Sequence, residues 1–218
     1  MAPNAVIFDV GGVLVESPFV AALRWQSDLE LPDTTLSVFF EEYARMPAPG
    51  ETPPPPMWHQ VEMGQISVQA FLDNVIPRIR GLVADDHPIF SLDATQFNVF
   101  ANAGAHWEMI HKVAELRRGG TAVAILTNNV KEWAGWRNVI PLDMFDLVVD
   151  SCEVGLRKPD PRIWELTLER LGVAANEALF LDDHPTNVAA AEDLGMTGIV
   201  VGADIGAAVA AIDLTMAK

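Results

Sequence analysis

The run Val6-Ile7-Phe8-Asp9-Val10-Gly11-Gly12-Val13-Leu14 constrains this chain most. Apolar residues stand on both sides of a single acid, and two glycines follow at once. A continuous apolar run suits a strand buried on both faces of a parallel sheet. Asp9 then falls at the carboxyl end of that strand, where open α/β sheets bind ligands. Gly11 and Gly12 let the backbone turn sharply and let a ligand come close. A carboxylate held there serves as a nucleophile or a metal ligand. A strand-end Asp that merely caps a turn is the plainer alternative.

The rest of the chain divides into two kinds of sequence. From about Glu16 to about Ala103 the pattern is helical and shows no convincing strand. Phe19 to Leu29, Leu36 to Met46 and Ser67 to Ile79 carry apolar residues at helical spacing, with Ser67 as a candidate N-cap. Between them, Pro53 to Pro56 forms a stiff, extended connection. Gly81 to Ala105 has no clear period. From Trp107 strands and helices alternate. Trp107 to Arg118, Pro161 to Leu171 and Asn187 to Leu194 read as helices; Thr121 to Leu126, Leu147 to Val149, Ala178 to Leu181 and Gly198 to Val201 read as strands. Alternation of this kind predicts an α/β fold, a parallel sheet with helices on both faces. The predicted organisation is a Rossmann-like core of residues 1–15 and 104–218 with a helical lobe of residues 16–103 inserted after the first strand.

Charge and cysteine content narrow the function. Fourteen basic against thirty acidic residues give a formal charge of −16 over 218 residues. A nucleic-acid partner wants a basic surface and is not expected. A small phosphorylated substrate remains open, because a bound metal reverses the local sign. Cys152 is the only cysteine, so no intramolecular disulfide or thiolate metal cluster is possible within the chain, and a buried structural thiol is expected. No basic, apolar leader opens the sequence and no apolar run is long enough to span a bilayer. The expectation is a cytoplasmic protein with no membrane partner, monomeric or homodimeric.

Three predicted strands end in polar groups: Asp9, Thr127-Asn128 and Asp182-Asp183. In a parallel sheet these ends share one edge. Carboxylates crowded there repel one another unless a cation sits among them, and an all-oxygen set suits Mg²⁺. Gly155-Leu156-Arg157-Lys158-Pro159-Asp160-Pro161 adds a lysine between prolines, either a stationary positive charge or a surface residue at a helix start.

With these four stretches in place, the sequence resembles the haloacid-dehalogenase superfamily of hydrolases, in the branch with a helical cap inserted after the first motif. The resemblance covers nearly the whole chain. Asp9 matches the nucleophile, Thr127 the phosphate-binding hydroxyl, Lys158 the basic residue, and Asp182 and Asp183 the acidic pair. Trp58 to Ser67 is similar to a cap stretch of that branch, with Glu62, Gly64 and Ile66 as its recurring features. The resemblance implies Mg²⁺-dependent hydrolysis of a small phosphate ester through an aspartyl-phosphate on Asp9. It places the metal on Asp9, Asp183 and the Gly11 carbonyl, with Asp182 reaching it through water. Thr127 and the Asn128 N–H hold a phosphoryl oxygen, Lys158 offsets charge, and Asn187 orients the acidic loop.

One departure stands out. Most phosphatases of this superfamily carry a second Asp two residues after the nucleophile, as general acid; here the position is Gly11. Such a group is worth ~10²–10⁴-fold in rate. Three consequences are open: an acid from the cap, with His59 and Glu62 as candidates; substrates with good leaving groups; or a weakly active phosphate-binding module. Metal-independent dehalogenation of a haloacid is a further alternative, disfavoured because Asp182-Asp183 would repel a carboxylate substrate. Trp133 and Trp136 follow the Thr127 loop, where core packing is the favoured reading and a place lining the site the alternative; His184 follows the acidic pair and faces either the metal or the solvent.

Overall fold

A computed structural model describes residues 2–44, 54–98 and 103–217. Five strands form one parallel sheet: β1 Ala5–Phe8, β2 Ala122–Thr127, β3 Leu147–Asp150, β4 Ala178–Asp182 and β5 Thr197–Val200. Their order is β3-β2-β1-β4-β5, so β1 is central. Its four residues have no solvent exposure. β1 pairs with β2 and β4 in matching register, Phe8 opposite both Ile125 and Leu181.

Strand periodicity divides the core into two layers. Val6, Phe8, Val123 and Ile125 point to one face, where α5 (Trp107–Arg118) supplies Met109, Ile110 and Val113 and α9 (Ile205–Met216) supplies Ile212. Ile7, Ala124 and Phe180 point to the other, against Ile163 and Trp164 of α7 (Pro161–Leu171) and Ala191 of α8 (Pro185–Asp193). The expected α/β fold is the fold observed.

Between β1 and α5 in sequence lie α1 (Pro18–Asp28), α2 (Asp33–Ala44), α3 (Met57–Glu62) and α4 (Val68–Val75), with short 3-10 turns at Ile76–Ile79 and Pro88–Ser91. No described residue here joins the sheet. Ser67 caps α4 by accepting from the Ala70 N–H at 3.1 Å, as its position suggested. The helix expected to reach Ile79 stops at Val75 and tightens into a 3-10 turn. Pro77 has no N–H to continue the α ladder. Arg45, Met46 and the connection through Pro53 lie outside the described residues, as do 99–102. Val61, Phe71, Leu72 and Phe97 make a separate apolar cluster that also takes in Val130 and Trp133 from the loop after β2. The Trp133 indole N–H donates to the Phe97 carbonyl at 2.6 Å. The helical insertion is thereby packed onto the carboxyl edge of the sheet.

Two elements differ from the sequence reading. Helix α9 was not foreseen. A short helix α6 (Ser151–Val154) follows β3 at once. It leaves Cys152 half-buried, its thiol donating to Asp150 Oδ1 at 3.1 Å. Cys152 is therefore not the buried thiol expected. No helix among the described residues is long and apolar enough to cross a membrane.

Candidate active site

Asp9 follows β1 directly, and its N–H continues the ladder to the Leu181 carbonyl at 2.9 Å. That bond fixes its side chain beside the end of β4. Asp182 closes β4, Asp183 comes next, and one oxygen from each of the three carboxylates lies within 4.8 Å of the others. Lys158 stands among them. Its ammonium is 2.8 Å from Asp9 Oδ1 and 2.6 Å from Asp182 Oδ2, and it donates to the Leu126 carbonyl at 3.0 Å. Its side chain is 1% exposed. The surface-lysine alternative is thus ruled out.

Further contacts hold these groups. Asp182 also accepts from Asn187 Nδ2 at 3.0 and 3.1 Å and from the His184 N–H at 2.8 Å. Asn128 grips the Lys158 backbone at both ends: its Nδ2 donates to the Lys158 carbonyl at 2.9 Å and its Oδ1 accepts from the Lys158 N–H at 2.8 Å. Sequence reading assigned Asn128 only a backbone role and missed this. Gly12 has a φ of +72°, and a Cβ there would lie 2.2 Å from Asp183 Oδ2. Glycine is required both by the left-handed backbone and by the packing of that carboxylate.

The electrostatics call for a cation. Three carboxylates against one ammonium leave two negative charges in a confined place. Burial raises Asp9 to about 7, with Asp182 and Asp183 adding to the effect and Lys158 opposing it. Burial and Asp182 likewise raise Asp183. Burial pulls the Lys158 ammonium down, but Asp182 and Asp9 outweigh it and hold it high. Hard oxygen donors, excess negative charge and a bare Gly12 beside Asp183 fit a small divalent cation such as Mg²⁺.

A cavity of about 170 Å³ opens over this cluster, and Asp9, Gly11, Thr127, Asn128, Lys158 and Asp183 line its floor. Asn187, His184, Trp133 and Trp136 reach the same cavity. The two candidates from the insertion fare differently. Glu62 lines the cavity, but its carboxylate is held by Arg157 Nε at 2.6 Å, and both side chains are nearly buried. Burial raises Glu62 against the pull of Arg157. His59 is not among the described residues lining the cavity; its ring packs edge-on against Tyr43 at 5.8 Å. Burial, aided by Arg157, lowers it to about 4, so it is neutral at pH 7. Arg157 is the participant that sequence reading passed over, although it stands beside Lys158. Ser17, at the start of α1, is another: its hydroxyl donates to Asp183 at 3.3 Å.

Fold and site together define a doubly wound α/β enzyme with an acidic centre at the carboxyl edge of its sheet. The chain belongs to the haloacid dehalogenase-like hydrolase family, whose model matches residues 3–195. It is 35% identical over 208 residues to Acyl-CoA dehydrogenase family member 10 of Mus musculus, a match covering 91% of this chain and 18% of that protein. The chain thus spans less than a fifth of that relative's length. It is 28% identical over 199 residues to Sesquiterpene phosphatase astK of Aspergillus oryzae, covering 90% and 88% of the two chains. Its fold is similar to that of a HAD family enzyme from Bacteroides thetaiotaomicron crystallised with magnesium and inorganic phosphate. The TM-score is 0.61 at 21% identity, over 92% of this chain and 96% of that one.

Proposed function

We propose that this hydrolase is a Mg²⁺-dependent phosphatase acting on a small phosphate monoester through an aspartyl-phosphate on Asp9. The observation that carries the reading is the Lys158 ammonium between Asp9 and Asp182, inside a carboxylate cluster that keeps two uncompensated negative charges. Asp9 and Asp183 would hold the cation, with the Gly11 carbonyl beside them and Asp182 outside the first contacts. Bound there, Mg²⁺ neutralises phosphoryl oxygens and keeps Asp9 ionised.

Asp9 attacks phosphorus and the ester oxygen departs with its electron pair. Water then cleaves the acyl phosphate, giving inorganic phosphate and the Asp9 carboxylate. Thr127 and the Asn128 N–H hold a phosphoryl oxygen, and Lys158 balances charge as the phosphoryl group is transferred. Asn128 and Asn187 keep Lys158 and Asp182 in register. The insertion of residues 16–103 acts as the cap over a core of 1–15 and 104–218. Glu62 is held by Arg157, and His59 is neutral and off the cavity wall, so neither replaces the proton donor absent at Gly11. The site therefore turns over unactivated alkyl esters slowly and esters whose alcohol leaves readily faster.

Hydrolysis of a haloacid is the weaker reading. Its carboxylate would face three acids, and Arg157, next to Lys158 in sequence, is committed to Glu62. Phosphate release from p-nitrophenyl phosphate and acetyl phosphate, with Mg²⁺ or EDTA, beside Asp9→Asn, tests the proposal. Turnover that needs both Mg²⁺ and Asp9 supports it; metal-independent turnover of 2-chloropropionate, or phosphate release by Asp9→Asn at the wild-type rate, overturns it.

A further inference from the structure

Above the acidic floor the cavity changes character. Its upper wall is built by Phe19, Trp25, Phe39, Phe40, Trp58 and Phe71, all from the helical insertion. These rings pack against one another: Phe19 stacks on Phe40 at 5.9 Å, Trp25 meets Phe39 at 5.6 Å and Trp58 meets Phe71 at 5.0 Å. A wall of interlocked rings is rigid and offers apolar contact without conformational adjustment.

The polar side chains of the wall are committed elsewhere. Asn128 holds the Lys158 backbone, Asn129 donates to Asp150 at 3.0 Å, Asn187 donates to Asp182, and Glu62 pairs with Arg157. Among the described lining residues Tyr43, His184 and the Trp136 indole N–H remain, fewer than the hydroxyls of a sugar. An unpaired polar group in such a place loses its hydration without compensation. Lys158 is the cation among the described lining residues, and it is buried between two acids. Among the described lining residues no free cation therefore meets a second anionic group, such as an amino-acid carboxylate or a further phosphate.

We infer that the alcohol portion of the substrate is an apolar hydrocarbon group: the phosphate lies on the Asp9–Lys158 floor and the hydrocarbon lies among the rings of the insertion. The inference rests on the phosphatase reading above and specifies its substrate class. The described wall disfavours sugar phosphates, phosphorylated amino acids and nucleotides by the same argument.

The test compares kcat/KM for ethyl, butyl, hexyl and octyl phosphate with that for glycerol phosphate, glucose 6-phosphate and acetyl phosphate, using the full chain with Mg²⁺. The linear alkyl esters share a similar leaving group, so their differences report contact with the wall. The expected gain is about fourfold per added methylene until the wall is covered. Glycerol phosphate and glucose 6-phosphate should fall at least about a hundredfold below octyl phosphate. Phe19 is 40% exposed, so Phe19→Ala leaves the core intact; it should lower the ratio of octyl to acetyl phosphate turnover at least about fivefold. Hydrolysis of acetyl phosphate with no preference for longer alkyl chains overturns the inference and leaves the phosphatase reading standing. Absence of phosphate release from every ester and from acetyl phosphate overturns both.

Discussion

Arg157 Nε lies 2.6 Å from Glu62 Oε2 and ties helix α3 of the insertion to the loop that carries Lys158. The two residues are 95 positions apart in sequence, and their side chains are 12% and 8% exposed. A pair this buried is held by mutual compensation, so removing one partner strands the other. Arg157→Met should lower the unfolding free energy by about 3–5 kcal/mol. Glu62→Leu, which leaves the Arg157 guanidinium unpaired, should lower it by a similar amount, about 3–5 kcal/mol. The double variant Arg157→Met with Glu62→Leu should recover most of the loss. A urea double-mutant cycle checks this; additive losses would show that the pair does not couple insertion and sheet edge.

Lys158→Met is expected to be the most damaging substitution at the site. It leaves Asp9 and Asp182 buried without their shared ammonium, about 3–5 kcal/mol of stability in EDTA. Phosphate release should be lost as well. Chemical denaturation of the metal-free protein, beside a phosphatase assay, gives both values.

Gly12→Ala tests the metal end. The left-handed backbone alone adds about 1–2 kcal/mol of strain for a residue with a Cβ. The new methyl would also displace Asp183, which it would approach to 2.2 Å. Mg²⁺ affinity, read by titration calorimetry, should fall by roughly 10–100-fold, the range seen when support for a metal ligand is removed. Unchanged affinity would remove Asp183 from the ligand set.

His59 gives one part of the pH dependence, and Asp9, raised to about 7, gives a part of opposite sign. Burial, then Arg157, lowers it from 6.5 to about 4 in the folded protein. The unfolded chain therefore binds more protons between those values, and stability is lost as pH falls from 6.5 towards 4. Above pH 6.5 the residue is neutral in both states and contributes no slope. His59→Gln should remove that contribution, so that the stability difference between the two proteins changes across this window and is constant above pH 6.5. Denaturation midpoints of the two proteins across pH 4–8 report the difference.

Much of the sheet was legible because its strands are short apolar runs closed by polar groups. Val6 to Phe8 ends on Asp9, Val123 to Leu126 on Thr127, and Leu179 to Leu181 on Asp182. Parallel pairing alone then brings those three ends to one edge. Helix α9 was not legible: Ile205 to Met216 is rich in alanine and its apolar residues mark no single face. It is held from outside, by Ile212 in the core and by Lys112 of α5, whose ammonium lies 2.7 Å from Asp213. The Arg157–Glu62 pair and the aromatic wall were not legible for a related reason. Their members come from elements distant in sequence, and a pairing across 95 positions leaves no local spacing to read. Asn128 shows a subtler limit. Its position was read, but its grip on the Lys158 backbone depends on the loop between β3 and α7 returning to the end of β2.

The central claim is that Asp9 carries the phosphoryl group. Its most direct test is acid-quenched, single-turnover mass spectrometry of the full chain with acetyl phosphate and Mg²⁺. The account predicts a transient adduct of one phosphoryl group on the peptide containing Asp9, absent in Asp9→Asn and in EDTA. Steady phosphate release with no adduct at any quench time, or an adduct on another residue, would contradict it.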